Sequence, residues 1–367
     1  MVNGRTAGPP IAERGPRVSD VRSFELRVPV SSSSSSADGG RPGWDIAATV
    51  YLPAAGDMQA PSARVLVVMP GGGYSRRYFD LPVPGYSQTS HHTRAGTVVV
   101  AIDHLGAGDS SIPPLEVTTL PVVAAANHAA VAAILDLLRT GTLAAGVPPV
   151  DIACVVGAGQ SLGGHALVGM QAYHRTFDGI AMLGSSLAGT ALPARPGAPE
   201  LVIPDGTTPE QAAQIVLANT DWNWAFHWED GFAADPSRAP HDLASLVAAD
   251  VAAGLPVRRG TAASVPPWGS LTWPGFGPSA MLPGAVADEA AGIDVPVLLA
   301  SGERDVCHPP AEEIAALKSA TDISVLVIPR MAHMHNFAVT RTLLWERLDE
   351  FVAHVTRAKA ASRAFSA

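Results

Sequence analysis

From Arg64 onward, short runs rich in Val, Ile and Leu, bounded by turn residues, alternate with longer stretches of helical character. The runs are residues 65–69, 97–102, 152–156, 179–183, 295–300 and 323–328. They are apolar at successive positions rather than at every second one, so each predicts a strand covered on both faces. Residues 85–94, 120–139, 162–175, 310–319 and 339–356 predict the helices that cover them. Parallel neighbours need a long crossover, which a helix supplies, so this alternation predicts an α/β fold with a mostly parallel sheet. Two earlier runs, 21–30 and 44–52, flank the flexible-looking Ser-rich stretch 31–40. They predict a hairpin that adds antiparallel edge strands.

Residues 189–287 break the alternation. They hold five of the seven tryptophans and end in a Pro/Gly-rich tail, 265–283. Stretches 208–217 and 241–253 are helical in pattern, so a helical cap inserted between core strands is expected. The division is then a core of 20–188 and 288–357, a cap of 189–287, and a polar, flexible 1–19. A chain of 367 residues, 47% apolar and 16% charged, has enough apolar surface for a large core and too little charge for disorder. A net charge of -9, with Lys318 and Lys359 the only lysines, argues against nucleic-acid binding. Asn127, His128 and Asp136 interrupt the apolar stretch 120–138, which reads as a buried helix rather than a membrane span. The opening MVNGRTAGPPIAERGPR has no apolar core of a secretory signal, and Cys154 and Cys307 make no disulfide framework. A cytoplasmic setting without membrane partners is therefore expected. The Ala-rich helices and apolar cap could serve a homodimer contact, although no spacing demands one.

The most informative segment is Gly157-Ala158-Gly159-Gln160-Ser161-Leu162-Gly163-Gly164, between a predicted strand and a predicted helix. A dinucleotide fingerprint starting at Gly157 would need glycine where Leu162 stands, and a P-loop would need a lysine that is absent. Gly-x-Ser-x-Gly at a strand-to-helix turn instead projects a serine hydroxyl from the sheet edge, beside the N–H groups that open the helix. Three further segments follow in the order that such a nucleophile requires. Pro70-Gly71-Gly72-Gly73-Tyr74, directly after an early strand, can turn N–H groups of Gly72 or Gly73 towards an oxyanion that Leu162 N–H also faces. Ser301-Gly302-Glu303-Arg304-Asp305 offers an acid past a strand end, with Glu303 as the fallback. Pro329-Arg330-Met331-Ala332-His333-Met334-His335 offers the base.

These motifs, with the Asp103-His104-Leu105-Gly106-Ala107-Gly108-Asp109-Ser110 turn, resemble the α/β-hydrolase superfamily in its serine carboxylesterase-like branch. The resemblance covers about 21–355 and places 189–287 where that family carries its cap. It implies an eight-stranded, mostly parallel sheet flanked by helices and no cofactor; His333 and His335 have no Asp or His companions at ligand spacing, so no metal is expected. The implied catalytic residues are Ser161, Asp305 and His333. The family's spacing, with Pro329 four residues earlier, favours His333 over His335 as the base. Pro70 stands where many relatives have His. Serine at the elbow excludes the relatives that use Asp there. Esterase, lactonase, thioesterase, C–C bond hydrolase and acyltransferase chemistry all remain open, as does a non-catalytic binder.

The expected function is hydrolysis of an ester or lactone of a fairly apolar small molecule through an acyl-enzyme on Ser161. Trp222, Trp224, Phe226 and Trp228, with Tyr74, are candidate substrate contacts. Tryptophans lining a pocket would imply a bulky acyl or ring portion. His91 and His92 are expected to be a solvated pair, His128 a core histidine, and His165 a residue packed behind the elbow.

Overall fold

The computed structural model describes residues 21–30, 43–54, 62–199, 201–228, 241–254, 261 and 264–366. The expectations for 1–19 and for the Ser-rich stretch 31–40 lie outside these residues. Eight strands form one sheet: β1 (Arg22–Val30), β2 (Trp44–Leu52), β3 (Ala63–Met69), β4 (Thr97–Ile102), β5 (Ile152–Gln160), β6 (Gly179–Leu183), β7 (Val297–Arg304) and β8 (Ile323–Ala332). Their order is β1-β2-β4-β3-β5-β6-β7-β8. The β1/β2 and β2/β4 pairs are antiparallel and the others parallel, as the alternation requires.

The continuous apolar runs have the physical cause inferred for them. Along β3, Val65, Val67 and Met69 join the core on one sheet face, with Val123, Ile134 and Leu167. Those partners come from α2 (Leu120–Thr140) and α3 (Leu162–His174). Leu66 and Val68 join the core on the other face, with Leu348 and Val352 of α10 (Arg341–Ser366). α2 is long and apolar enough to cross a membrane, yet its Val123, Ile134 and Leu138 are fully buried in this core. α1 (Gln88–Arg94) precedes β4, and α9 (Pro310–Ala316) lies between β7 and β8. Between β6 and β7 the insertion carries α4 (Pro209–Asn219), α5 (Trp222–Phe226), α6 (His241–Ala252), α7 (Gly277–Ala280) and α8 (Ala287–Ala291).

Three strands run further than their apolar runs. β5 continues through Gly157, Ala158 and Gly159 to Gln160, where the glycines resemble a turn in sequence. Their missing side chains answer instead to close packing: a Cβ at Gly157 would lie 3.0 Å from the Phe177 ring. β7 and β8 extend together past a register shift between Gly302 and Arg304. The His91/His92 pair is not solvated. His92 is fully buried, and its Nδ1 lies 2.7 Å from Asp349 on α10, because α1 packs its polar edge onto that helix.

Two buried polar groups fix the loops at the carboxyl edge of the sheet. Asp103 accepts hydrogen bonds from the Arg76 backbone N–H (2.5 Å), the Arg76 guanidinium (2.6 Å) and Asp109 N–H (2.8 Å). This joins the turn after β4 to the segment following the triple glycine. Burial raises the Asp103 pKa although Arg76 opposes the shift. His104, next in sequence, donates from Nε2 to the Pro70 carbonyl (2.8 Å) and accepts the Asn127 amide at Nδ1 (2.9 Å). Pro70 has no N–H of its own to anchor the start of the glycine loop, so its carbonyl is tied from the neighbouring strand end.

Burial pulls the His104 pKa down to about 4, against the pull of its bond to Pro70. An unfolded histidine titrates near 6.5, so between about pH 6.5 and about 4 the unfolded chain takes up a proton that the folded chain refuses. His104 therefore favours the folded state fully at neutral pH and loses up to about 1.4 kcal/mol per pH unit as pH falls through that window. Urea unfolding of His104→Gln and the parent at about pH 7 and about pH 5 should show a shallower acid loss in the variant. Equal slopes would mean that folded His104 takes up its proton at the same pH as the unfolded chain.

Candidate active site

Ser161 joins β5 to α3 at φ 53° and ψ -121°, a left-handed geometry that costs a non-glycine residue about 1–3 kcal/mol. Among the described residues only Arg175 and Arg330 share a positive φ without being glycine. Close packing imposes the turn. A Cβ at Gly159 would collide with the Gly163 carbonyl, one at Gly163 with the Met69 carbonyl, and one at Gly71 would lie 2.9 Å from the Ser161 Cβ. The start of α3 therefore sits directly on the end of β3 and against the glycine loop. Ser161 N–H donates to the Leu183 carbonyl of β6 at 2.9 Å, holding the elbow over the sheet edge.

The structure brings Ser161, His333 and Asp305 together. His333 Nε2 is 2.9 Å from Ser161 Oγ, and its Nδ1 is 2.7 Å from Asp305 Oδ1. Asp305 Oδ1 also accepts Val306 N–H (2.8 Å), while Oδ2 accepts Gly302 N–H (2.8 Å) and lies 2.7 Å from His335 Nε2. Burial alone would raise the Asp305 pKa, but His335 and then His333 hold it well below the usual carboxylate range. His335 reaches the acid and not the serine. Glu303 lies apart, its carboxylate accepting Arg330 N–H at an exposed position.

The loop that carries His333 is held from two sides. Gln160, just before the serine, donates from Nε2 to the His333 carbonyl at 3.1 Å. From the insertion, the Ala225 and Phe226 carbonyls accept the N–H groups of His333 (3.2 Å) and Met334 (2.8 Å), and the Phe226 ring centroid lies 5.0 Å from the imidazole.

Of the five aromatic substrate candidates, Trp222 and Phe226 line the pocket at Ser161. Trp224 and Trp228 instead stack on the Arg304 guanidinium, at 3.5 and 4.7 Å from centroid to Cζ. Arg304 also donates to the His227 carbonyl at 2.7 Å. Tyr74 is buried, its hydroxyl donating to Asp250 of α6 at 2.7 Å. Trp268 Nε1 (2.8 Å) and His227 Nε2 (3.1 Å) share that carboxylate. Gly72 and Leu162 face the pocket, whereas Gly73 does not line it, and its carbonyl accepts Ser270 N–H.

Sequence reasoning missed Trp273, which lines the pocket with its ring directly over Gly72, where a Cβ would be 2.7 Å away. The one sequence signal was an aromatic residue beside the small Gly275 and Gly277. The remaining walls are chiefly Leu192, Met281 and Val306, and the space between them is about 50 Å³. His165 lines the pocket rather than packing away from it. Its Nε2 donates to the Ser186 carbonyl at 2.9 Å, and burial lowers its pKa to about 4. Burial raises the thiol of Cys307, a neighbour of the acid turn, well above its ordinary value, with Asp305 and Glu313 adding to the shift.

Among the described residues one cluster has the residue types of a metal site, His91, His92 and Asp349. Trp345 Nε1 donates to Asn336 Oδ1, and Asn336 Nδ2 donates to Gln88 Oε1. Gln88 therefore presents its NH₂ to His92 Nε2 at 3.2 Å, which leaves the His92 proton on Nδ1, facing Asp349. That arrangement is a hydrogen-bonded pair rather than an open ligand set.

No curated protein matches the sequence. Among solved structures, an esterase from Thermogutta terrifontis superposes with a TM-score of 0.56 at 14% identity, over 91% of this chain and 99% of that one. A bromoperoxidase from Bacillus anthracis does so at 0.53 and 16%, over 91% and 100%. A proline iminopeptidase from Mycobacterium smegmatis gives 0.52 and 16%, over 91% and 99%. At such identities the likeness is one of fold, shared by proteins of different chemistry. Residues 65–343 match the alpha/beta hydrolase family in sequence, and the chain belongs to that family.

Proposed function

We propose that this protein is a serine hydrolase that cleaves carboxylic esters with a compact, uncharged, apolar acyl group. The observation that carries the reading is the unbroken line of hydrogen-bonding distances Ser161–His333–Asp305, with the serine on a strained turn that lines a pocket. In that arrangement His333 Nε2 takes the Ser161 proton as Oγ attacks the ester carbonyl. Asp305 keeps the other ring proton on Nδ1 and stabilises the imidazolium that forms. Leu162 opens α3, so its N–H has no acceptor within the helix, and it faces the same space as Gly72; these two N–H groups receive the oxyanion. His333 then returns its proton to the leaving alcohol, and a water that it activates releases the acid.

The pocket supports the substrate class. No Asp, Glu, Lys or Arg lines it. The space is about 50 Å³, against roughly 150 Å³ for a cavity that admits benzene, so it suits an acyl chain of very few carbons. Trp222, Phe226 and Trp273 narrow this space rather than widen it for a ring.

Ser161→Ala should lower kcat on p-nitrophenyl acetate by about a millionfold, the scale for losing a nucleophile that acts with its base. Its unfolding transition should stay close to that of the parent. Retained turnover in that variant would sink the assignment. Across p-nitrophenyl acetate, butyrate and octanoate, kcat/KM should fall with chain length, and Trp273→Ala should shift the preference towards butyrate. A parent enzyme that prefers octanoate contradicts the compact acyl site.

A further inference from the structure

Resting on that reading, we infer that His335 is a positioning residue for the catalytic acid: it locks the second oxygen of Asp305 so that the first stays aimed at His333. A carboxylate has two oxygens and about four acceptor sites. Here the four are filled by Val306 N–H and His333 on Oδ1, and by Gly302 N–H and His335 on Oδ2. With both oxygens held by two donors, the carboxylate cannot rotate about its Cβ–Cγ bond without breaking several bonds at once.

The backbone is shaped for this bracket. Gly184, at the end of β6 with φ 57°, passes so close that a Cβ would lie 2.9 Å from Oδ2, 3.0 Å from Oδ1 and 3.0 Å from His335 Cε1. His335 starts a short 3-10 turn, His335–Phe337. The next residue fixes that turn, since the Asn336 side chain donates to the Tyr78 carbonyl and Gln88 Oε1 and accepts Trp345 Nε1.

His335 is 1% exposed, and Asp305 is the single hydrogen-bond partner of its ring among the described residues; Nδ1 is buried without one. A side chain serving only to fill space would leave no buried nitrogen unmet. What histidine supplies here, and leucine or phenylalanine would not, is the Nε2–H aimed at Oδ2. Without it that oxygen keeps one donor in a water-poor site, and the carboxylate can turn to share Oδ1 differently. His333 then loses the alignment that places Nε2 at Ser161.

The test compares the rate at which a fluorophosphonate labels Ser161 with kcat and KM on p-nitrophenyl acetate, in the parent, H335F, H335L and H335Q. Phenylalanine and leucine remove the donor, while glutamine can offer an amide N–H in its place. H335F and H335L should label about 10–100-fold more slowly, with kcat falling alike and KM little changed. H335Q should recover most of the loss. Misfolding would lower the labelled fraction rather than the rate, and H335L carries the same expectation should H335F fail to fold. Parent-like labelling rates in the donorless variants overturn the proposal, as does an equal rate loss in H335Q. A parent chain that does not label at all removes the serine-hydrolase reading and this proposal with it. Normal parent labelling with unchanged variants removes this proposal alone.

Discussion

The candidate site depends on three backbone segments meeting with no side chain between them. Gly159 on β5, Gly163 on α3 and the Met69 carbonyl at the end of β3 lie so close that a methyl group at either glycine would force them apart. This contact turns Ser161 to a positive φ and sends its hydroxyl out of the sheet edge instead of into the packing between β5 and α3. It also sets the Leu162 N–H at the helix start and brings Gly71 against the serine, so the glycine loop has one place to lie. The strain in one residue is thus held by contacts that the surrounding packing makes anyway. His104 and Asp103 extend the same constraint outward, fixing the two ends of the loop from the turn after β4.

Much of this was legible because the signals are local. Continuous apolar runs report burial on both sheet faces, and the order of Ser161, Asp305 and His333 along the chain needs no knowledge of distance. The ends of β5, β7 and β8 were less legible, since glycine inside a strand and glycine in a turn look alike in sequence. The pocket walls were the least so. Trp224 and Trp228 have the residue type of a pocket wall, but Arg304, nearly eighty residues later, is what they stack on. Tyr74 adjoins the glycine loop in sequence, yet its hydroxyl belongs to Asp250, 176 residues away. Trp273 reaches Gly72 across a similar gap. Such pairings come from tertiary packing, which periodicity does not encode. The two histidines show the same limit in small: spacing identified the segment, and only the geometry gave each ring its own oxygen of Asp305.

The insertion helps to hold the candidate site in place. α5 ends at Phe226, and the final carbonyls of a helix have no acceptor role within it. Here the loop that carries His333 supplies their donors, through the N–H groups of His333 and Met334, and Arg304 supplies one more to the His227 carbonyl. A cation and two N–H groups at a helix C-terminus also oppose its partial negative charge. The exchange is mutual. The core satisfies the end of α5, and α5 fixes the backbone that carries His333 and stands one residue from Asp305. Displacing α5 would break three hydrogen bonds and free the backbone that carries His333. The opposite wall is tied in as well: Ala191 N–H donates to the Val306 carbonyl at 2.8 Å and Thr190 N–H to the Met281 carbonyl at 3.0 Å, so the insertion grips the chain on both sides of Asp305.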